Sequence, residues 1–382
     1  MELGELLLGL VIVWLAAKLA SEAMERFGQT AVLGELLAGV LIGPGVFGLV
    51  HDSEILHALA AIGVIILLFE IGLESDLGEL LRAGLQSTVV ALIGIAFPFA
   101  FGYGLAIWWG KPALVAVFIG ATLTATSVGI TARVLSDLGR LQEPAARVVL
   151  GAAVIDDVLG LVILAVVTGL IRTGAFSLST VGGILAKALV FLVLAVVLGI
   201  RFAPTLLAWV GKMRARGSLI VYAVLFCVLL AALSERIGLA AIIGAFAAGL
   251  ILTKTEPRAR IEEQLKPVAD LFVPVFFVTV GMKVDPATLN PFGDGTFRFA
   301  LVLTAVAVLS KLAAGLGVYQ RGVRRWLVGV GMIPRGEVGL IFAGIGLANG
   351  VIEETLYAAL VTMVMVSTFI VPPWLKALYR RP

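Results

Sequence analysis

Two acidic residues stand side by side in the run Gly151-Ala-Ala-Val-Ile-Asp156-Asp157-Val-Leu-Gly160-Leu-Val-Ile-Leu. A charged aspartate near the centre of an apolar membrane helix costs roughly 2.5–3.5 kcal/mol if it faces lipid, so each needs a wet cavity, a partner or a proton. Adjacent residues point about 100° apart on a helix. One acid can therefore hold a protein partner while the other faces an ion path. A carboxylate binds either a proton or a small dehydrated cation, because such cations require hard, ionised oxygen ligands. The expected chemistry is competition between protons and sodium or lithium, with Asp157 and Asp156 as the residues that hold the transported ion.

The run Ala305-Val-Ala-Val-Leu-Ser310-Lys311-Leu-Ala-Ala-Gly315 places Lys311 too far inside to reach either surface comfortably, and Asp156 is its expected partner. Burial and a neighbouring carboxylate act on an amine in opposite directions, so such a pair can switch. A static ion pair is the plainer alternative. It accounts for Lys311 and leaves Asp157 unexplained. Hydroxyls are concentrated at Thr122, Thr124, Thr126, Ser127 and Thr131, where Thr126 and Ser127 could complete a ligand shell. A second irregular stretch holds Gly331, Pro334, Gly336 and Gly339, flanked by Arg335 and Glu337. Those two charges are expected to neutralise neighbouring polar backbone and carboxylates. Glu70 and Glu35 lie near span ends, where edge solvation explains them as well as transport does. Pro98 and Pro274 have no comparable polar surroundings and read as structural kinks.

These groups must be positioned by membrane helices. Of 382 residues, 60% are hydrophobic and only 14% charged, with a mean hydropathy of +1.11; such a chain cannot make an ordinary charged surface in water. One cysteine, Cys227, excludes an intrachain disulfide and a thiolate cluster, and two histidines, His51 and His57, cannot build a histidine metal site. No cofactor is called for. The basic pI, near 9.1, is explained by cytoplasmic loops rather than by nucleic acid. The N-terminus has no basic region or cleavage site, so the first apolar run is expected to stay as a membrane helix.

Apolar stretches at 3–21, 31–49, 56–73, 85–108, 113–136, 146–170, 179–207, 218–233, 238–252, 264–282, 297–318, 323–347 and 353–377 predict thirteen transmembrane helices. With the N-terminus outside, sixteen Lys and Arg residues fall in cytoplasmic connections and the tail, against five outside. The C-terminus is then cytoplasmic. No connection is long enough for a soluble module, so no attached nucleotide-binding domain is expected.

An internal repeat accompanies the spans. Gly28, Ala31, Gly34, Ala38 and Gly39 match Gly238, Ala241, Gly244, Ala248 and Gly249 at an offset of 210, and Gly72 and Asp76 match Gly281 and Asp285 at 209. This offset equals seven helices, an odd number, so the second six-helix copy enters the membrane from the opposite side. By the same offset Thr126 corresponds to Arg335. The two irregular stretches therefore predict broken, crossed helices, and inverted repeats favour alternating access over a pore.

The segments around Thr126, around Asp156-Asp157 and around Pro334-Arg335-Gly336-Glu337 resemble those of bacterial sodium/proton antiporters of the monovalent cation:proton antiporter-2 family, over essentially the whole chain. The resemblance implies an all-α polytopic NhaA/NapA-like fold. It also implies a homodimer in the lipid of the bacterial inner membrane, in which a core domain moves like an elevator against a dimerisation domain. Segments 1–78 and 211–290 would form the dimerisation domain, 79–177 and 291–382 the core, and 178–210 the connecting helix. It further implies that Asp157 is the principal carrier, that Asp156 pairs with Lys311 in a pH-sensitive way, and that Thr126 lies beside the ion. The Asp-Asp pair resembles the electrogenic branch, with two protons exchanged per sodium ion. A potassium/proton antiporter is the nearest alternative. A cation channel is disfavoured by the inverted repeat, and an aspartyl protease would need its acids face to face.

Overall fold

In hydrocarbon only internally hydrogen-bonded backbone survives, and apolar runs of this length accordingly become helices. The computed structural model describes residues 3–27, 29–51, 53–75, 77–173, 178–210, 213, 215, 217–253, 255–283 and 296–380, and these are all-α. The helices are α1 (Leu3–Arg26), α2 (Ala31–Ile42), α3 (Glu54–Glu74), α4 (Leu77–Trp108), α5 (Ala113–Thr124), α6 (Val128–Asp137), α7 (Pro144–Thr173) and α8 (Leu178–Val210). They continue as α9 (Ser218–Arg236), α10 (Ala241–Leu252), α11 (Arg258–Met282), α12 (Thr296–Leu312), α13 (Arg325–Gly331), α14 (Glu337–Ala348) and α15 (Glu354–Arg380). A 3₁₀ turn, Ala313–Gly317, extends α12.

Among the described residues, nine helical stretches are long and apolar enough to cross a membrane, and α2, α10 and 338–347 are shorter apolar helices. The protein is thus a polytopic α-helical membrane protein. The expected span 31–49 stops at Ile42, because Gly43-Pro44-Gly45 cannot continue the helix and the Gly43 N–H closes it on Gly39 O at 2.9 Å. Asp76 and Asp285, which help to define the second repeat match, lie outside the described residues.

The helices pack in two groups. In one, α2 lies against α1 and α11, while α3 lies against α10 and α11, with α9 beside α10. In the other, α4 packs on α5, α7 and α12, with α14 and α15 closing around them. Small residues set the first group's spacing. Gly39 of α2 meets Gly281 of α11, and Gly72 of α3 meets Gly249 of α10, each so close that a Cβ would collide with the facing backbone. Backbone approach of this kind lets dispersion act where lipid supplies no hydrophobic drive.

Candidate functional site

The two broken helices cross in the second group. α5 ends at Thr124, Ala125–Ser127 are extended, and α6 resumes at Val128. In the last turns of α5 the hydroxyls bond back to the helix, Thr122 Oγ1 donating to Phe118 O at 2.8 Å and Thr124 Oγ1 to Ala121 O at 2.7 Å. Between α13 and α14, Pro334 lacks an N–H and the chain runs open from Met332 to Gly336. The open segments touch through one backbone bond, Ser127 N–H to Pro334 O at 2.7 Å. Gly336 fits beneath Ser127 only because it has no side chain, since a Cβ there would stand 2.6 Å from Ser127 Oγ.

A broken helix exposes carbonyls at its C-terminal end, where the helix dipole is negative. Two buried cations take them. Arg335 donates to Ile333 O at 2.7 Å, to Leu123 O at 3.1 Å and to Ala307 O at 2.8 Å, and so ties the second break to α5 and α12. Its own carbonyl accepts from Thr368 Oγ1 at 2.6 Å, and Thr131 Oγ1 donates to Gly331 O at 2.6 Å. Lys311 donates to Thr124 O, the last carbonyl of α5, and to Gly94 O of α4 at 2.7 Å. Its Nζ also stands 3.5 Å from Asp156 Oδ1, with the side chains only 0% and 1% exposed.

Asp156 and Asp157 come from the middle of α7 and are both buried. The Thr126 hydroxyl and backbone N–H face the Asp156 carboxylate, short of full hydrogen-bond geometry, so both Asp156 oxygens and Thr126 Oγ1 remain without a hydrogen bond. Asp157 lies one residue on, within coulombic reach of Lys311. The structure therefore gathers Asp156, Asp157, Thr126, Ser127, Lys311 and Arg335 at one crossing. The Glu337 side chain lies outside the described residues. Glu70 is elsewhere, on α3. It joins Glu35 of α2 and the α6 pair Arg133–Asp137, whose Nε and Oδ1 are 3.0 Å apart, in a charged cluster where α6 meets the other group.

Two sequence expectations need correction. Glu35 is not solvated at an edge: it is 2% exposed, because α2 is short and enclosed by α1, α6 and α11. Nor does Pro98 lie in plain surroundings. In a helix, Gly94 O would accept from residue 98, and proline has no N–H, so the oxygen that Lys311 takes has no helical donor. Sequence reasoning also missed Gln86, a lone amide in an apolar helix, whose Oε1 accepts from Tyr319 and Gln320 N–H at 3.3 and 2.8 Å. Among the described residues no group of three or more His, Cys, Asp or Glu could hold a resident metal.

Residues 9–381 match the model of the family described as sodium/hydrogen exchanger, transmembrane. The chain is 40% identical to the high-affinity Na+/H+ antiporter NhaS3 of Synechocystis sp., over 99% of this chain and 90% of that protein. It is 38% identical to the Na+/H+-K+ antiporter GerN of Bacillus cereus, over 96% and 94% of the two chains. In fold it is similar to the sodium proton antiporter MjNhaP1 of Methanocaldococcus jannaschii, with a TM-score of 0.69 at 19% identity over 99% of this chain and 100% of that one.

Proposed function

The chain belongs to the transmembrane sodium/hydrogen exchanger family, as a secondary active cation/proton antiporter, and we propose that its cargo is sodium or lithium, exchanged for two protons through Asp157 and the Asp156–Lys311 pair. The observation that carries this reading is the buried Lys311 ammonium, 3.5 Å from Asp156 and beside Asp157 at the crossing of two broken helices. In the proton-loaded form Asp157 is neutral and Lys311 is charged against Asp156. An arriving cation needs ionised carboxylates, so Asp157 releases its proton. Asp156 then turns from Lys311 toward the cation, and the lysine releases the second. Two protons leave as one positive charge enters, so the proton-loaded site carries one more positive charge than the cation-loaded one. Exchange is then electrogenic. Thr126 and Ser127 supply neutral oxygens to the cation, while Arg335 holds the crossing together.

The reading includes thirteen crossings arranged as two inverted repeats. In support, Gly34 closes on Ala20 as Gly244 closes on Leu230, and the Gly39–Gly281 contact recurs as Gly249–Gly72; the first contact maps onto its counterpart by adding 210 to both residues, and the second by adding 210 to Gly39 and subtracting 209 from Gly281. The group containing the site is the moving core in an elevator cycle. The group of α1–α3 and α9–α11 is the dimerisation domain, with α8 as connector, the N-terminus outside and the C-terminus in the cytoplasm of a bacterial cell. The outward apolar faces of α1 and α8, including Leu8, Leu15, Val190 and Val197, suit lipid and a second copy. The reading extends to a likeness to NapA, which the segments around Thr126, Asp156-Asp157 and Pro334-Arg335-Gly336-Glu337 support.

The test uses purified protein in sealed liposomes, with proton flux followed under controlled voltage as sodium, lithium or potassium is added. Sodium-dependent proton movement that disappears in Asp157→Asn is expected. Potassium exchange without sodium exchange would replace the cargo; potassium is included in the test because GerN is an Na+/H+-K+ antiporter. Uncoupled current would overturn exchange altogether.

A further inference from the structure

An ammonium has three protons to place. At Lys311 two of them go to backbone carbonyls, and the third faces Asp156. In an unbroken helix each carbonyl already accepts one N–H and has one lone pair left, as Ala307 O has for Arg335; a carbonyl that has lost its helical donor is the stronger acceptor, and both of these have lost theirs. Thr124 O is released because α5 stops there. Gly94 lies in the interior of α4, where no such end exists.

We propose that Pro98 is a positioning residue for the exchange reaction: it opens α4 at one carbonyl and presents Gly94 O to Lys311. A proline ring removes the donor at i and pushes against the carbonyl at i−4, which here is Gly94. Both residues are buried and lie one turn apart along α4, and Gly94 lies against Lys311 of α12. The carbonyl that the ring displaces is the one that meets Lys311 Nζ at 2.7 Å. Two neutral acceptors then hold the ammonium without competing for its proton, and Asp156 alone is left to change partner. The other charged groups that face the amine are Asp156 and Asp157 of α7 and Arg335 between α13 and α14. None of them replaces a carbonyl of α4. The inference deepens the exchange reading and rests on it for its transport consequence, although the coupling between Pro98 and Lys311 can be measured without transport.

The experiment compares Pro98→Ala, Lys311→Gln and the double variant. Alanine restores an N–H that competes for Gly94 O, so the ammonium is held less firmly and parts with its proton in a less alkaline medium. The pH of half-maximal sodium-dependent proton flux in liposomes is expected to move down by ~0.5–1 unit. In the Lys311→Gln background the same substitution should leave the profile where it was. In detergent, the thermal midpoint shifts of the two substitutions should be non-additive, because they act on one oxygen. Pro98→Gly also restores the N–H and is expected to shift the profile in the same direction, which guards against a fault peculiar to alanine. Additive midpoints, or a profile that Pro98→Ala leaves unmoved in a folded protein, would overturn the proposal. Wild-type vesicles lacking cation-dependent proton flux would sink the exchange reading instead, with the thermal cycle still deciding the role of Pro98.

Discussion

Replacing Lys311 by glutamine removes the charge and keeps a hydrogen-bonding head, which makes it the sharpest probe of the site. Three interactions are at stake: the bonds to Gly94 O and Thr124 O, and the pair with Asp156 at 3.5 Å. Breaking a buried pair by removing one partner costs about 3–5 kcal/mol, because the remaining charge stays in a low-dielectric interior. A carbonyl left without a donor adds about 1–3 kcal/mol. Glutamine's shorter amide can still serve one carbonyl, and Asp156 can take up a proton and escape its charge. A net loss of about 3 kcal/mol is therefore expected. Lys311→Gln combined with Asp156→Asn removes the stranded carboxylate, so the double variant should recover about 2 kcal/mol of that loss. The assay is thermal denaturation of the four proteins in detergent, with proton-to-sodium ratios measured in liposomes held at fixed voltage. The ratio should fall from two toward one in Lys311→Gln, since the proposed mechanism gives the second proton to Lys311. Stability changes that add within ~0.5 kcal/mol, together with an unchanged ratio, would refute the pairing.

Two further substitutions test the scaffold. Gly39→Ala puts a Cβ against the Val278 carbonyl and Gly281 Cα, so a loss of about 1–3 kcal/mol is expected, read as a lower thermal midpoint; Gly84→Ala, whose Cβ would meet nothing within 4 Å, should be neutral or stabilising by up to about 1 kcal/mol. Arg335→Lys should keep the charge yet fail to reach Ile333 O, Leu123 O and Ala307 O together, because an ammonium is a point donor and a guanidinium a fork. At least one buried carbonyl is then stranded, and a loss of about 1–3 kcal/mol should appear in the same melt.

How far the site could be read from the sequence depended on whether its chemistry lay in side chains or in backbone. Asp156, Asp157 and Lys311 stand out because an ionisable group in an apolar run has to be explained, and hydroxyls or prolines in such runs mark the breaks near Thr126 and Pro334. The paired glycines were legible for a similar reason: glycines at backbone contacts are spaced by geometry, and Gly39 and Gly249 meet Gly281 and Gly72. Carbonyl oxygens carry no letter of their own. Every residue but proline has the same backbone groups, so nothing at position 94 announces an acceptor, and the sign of its release sits four residues away in Pro98. Glu35 escaped for the opposite reason, since its letter was visible but its enclosure by α1, α6 and α11 depends on helices remote in sequence. In a membrane helix, then, a proline calls for a search for the donor that claims the carbonyl one turn before it. At Pro98 that donor is the same lysine the two aspartates require, which joins a kink to the chemistry of exchange.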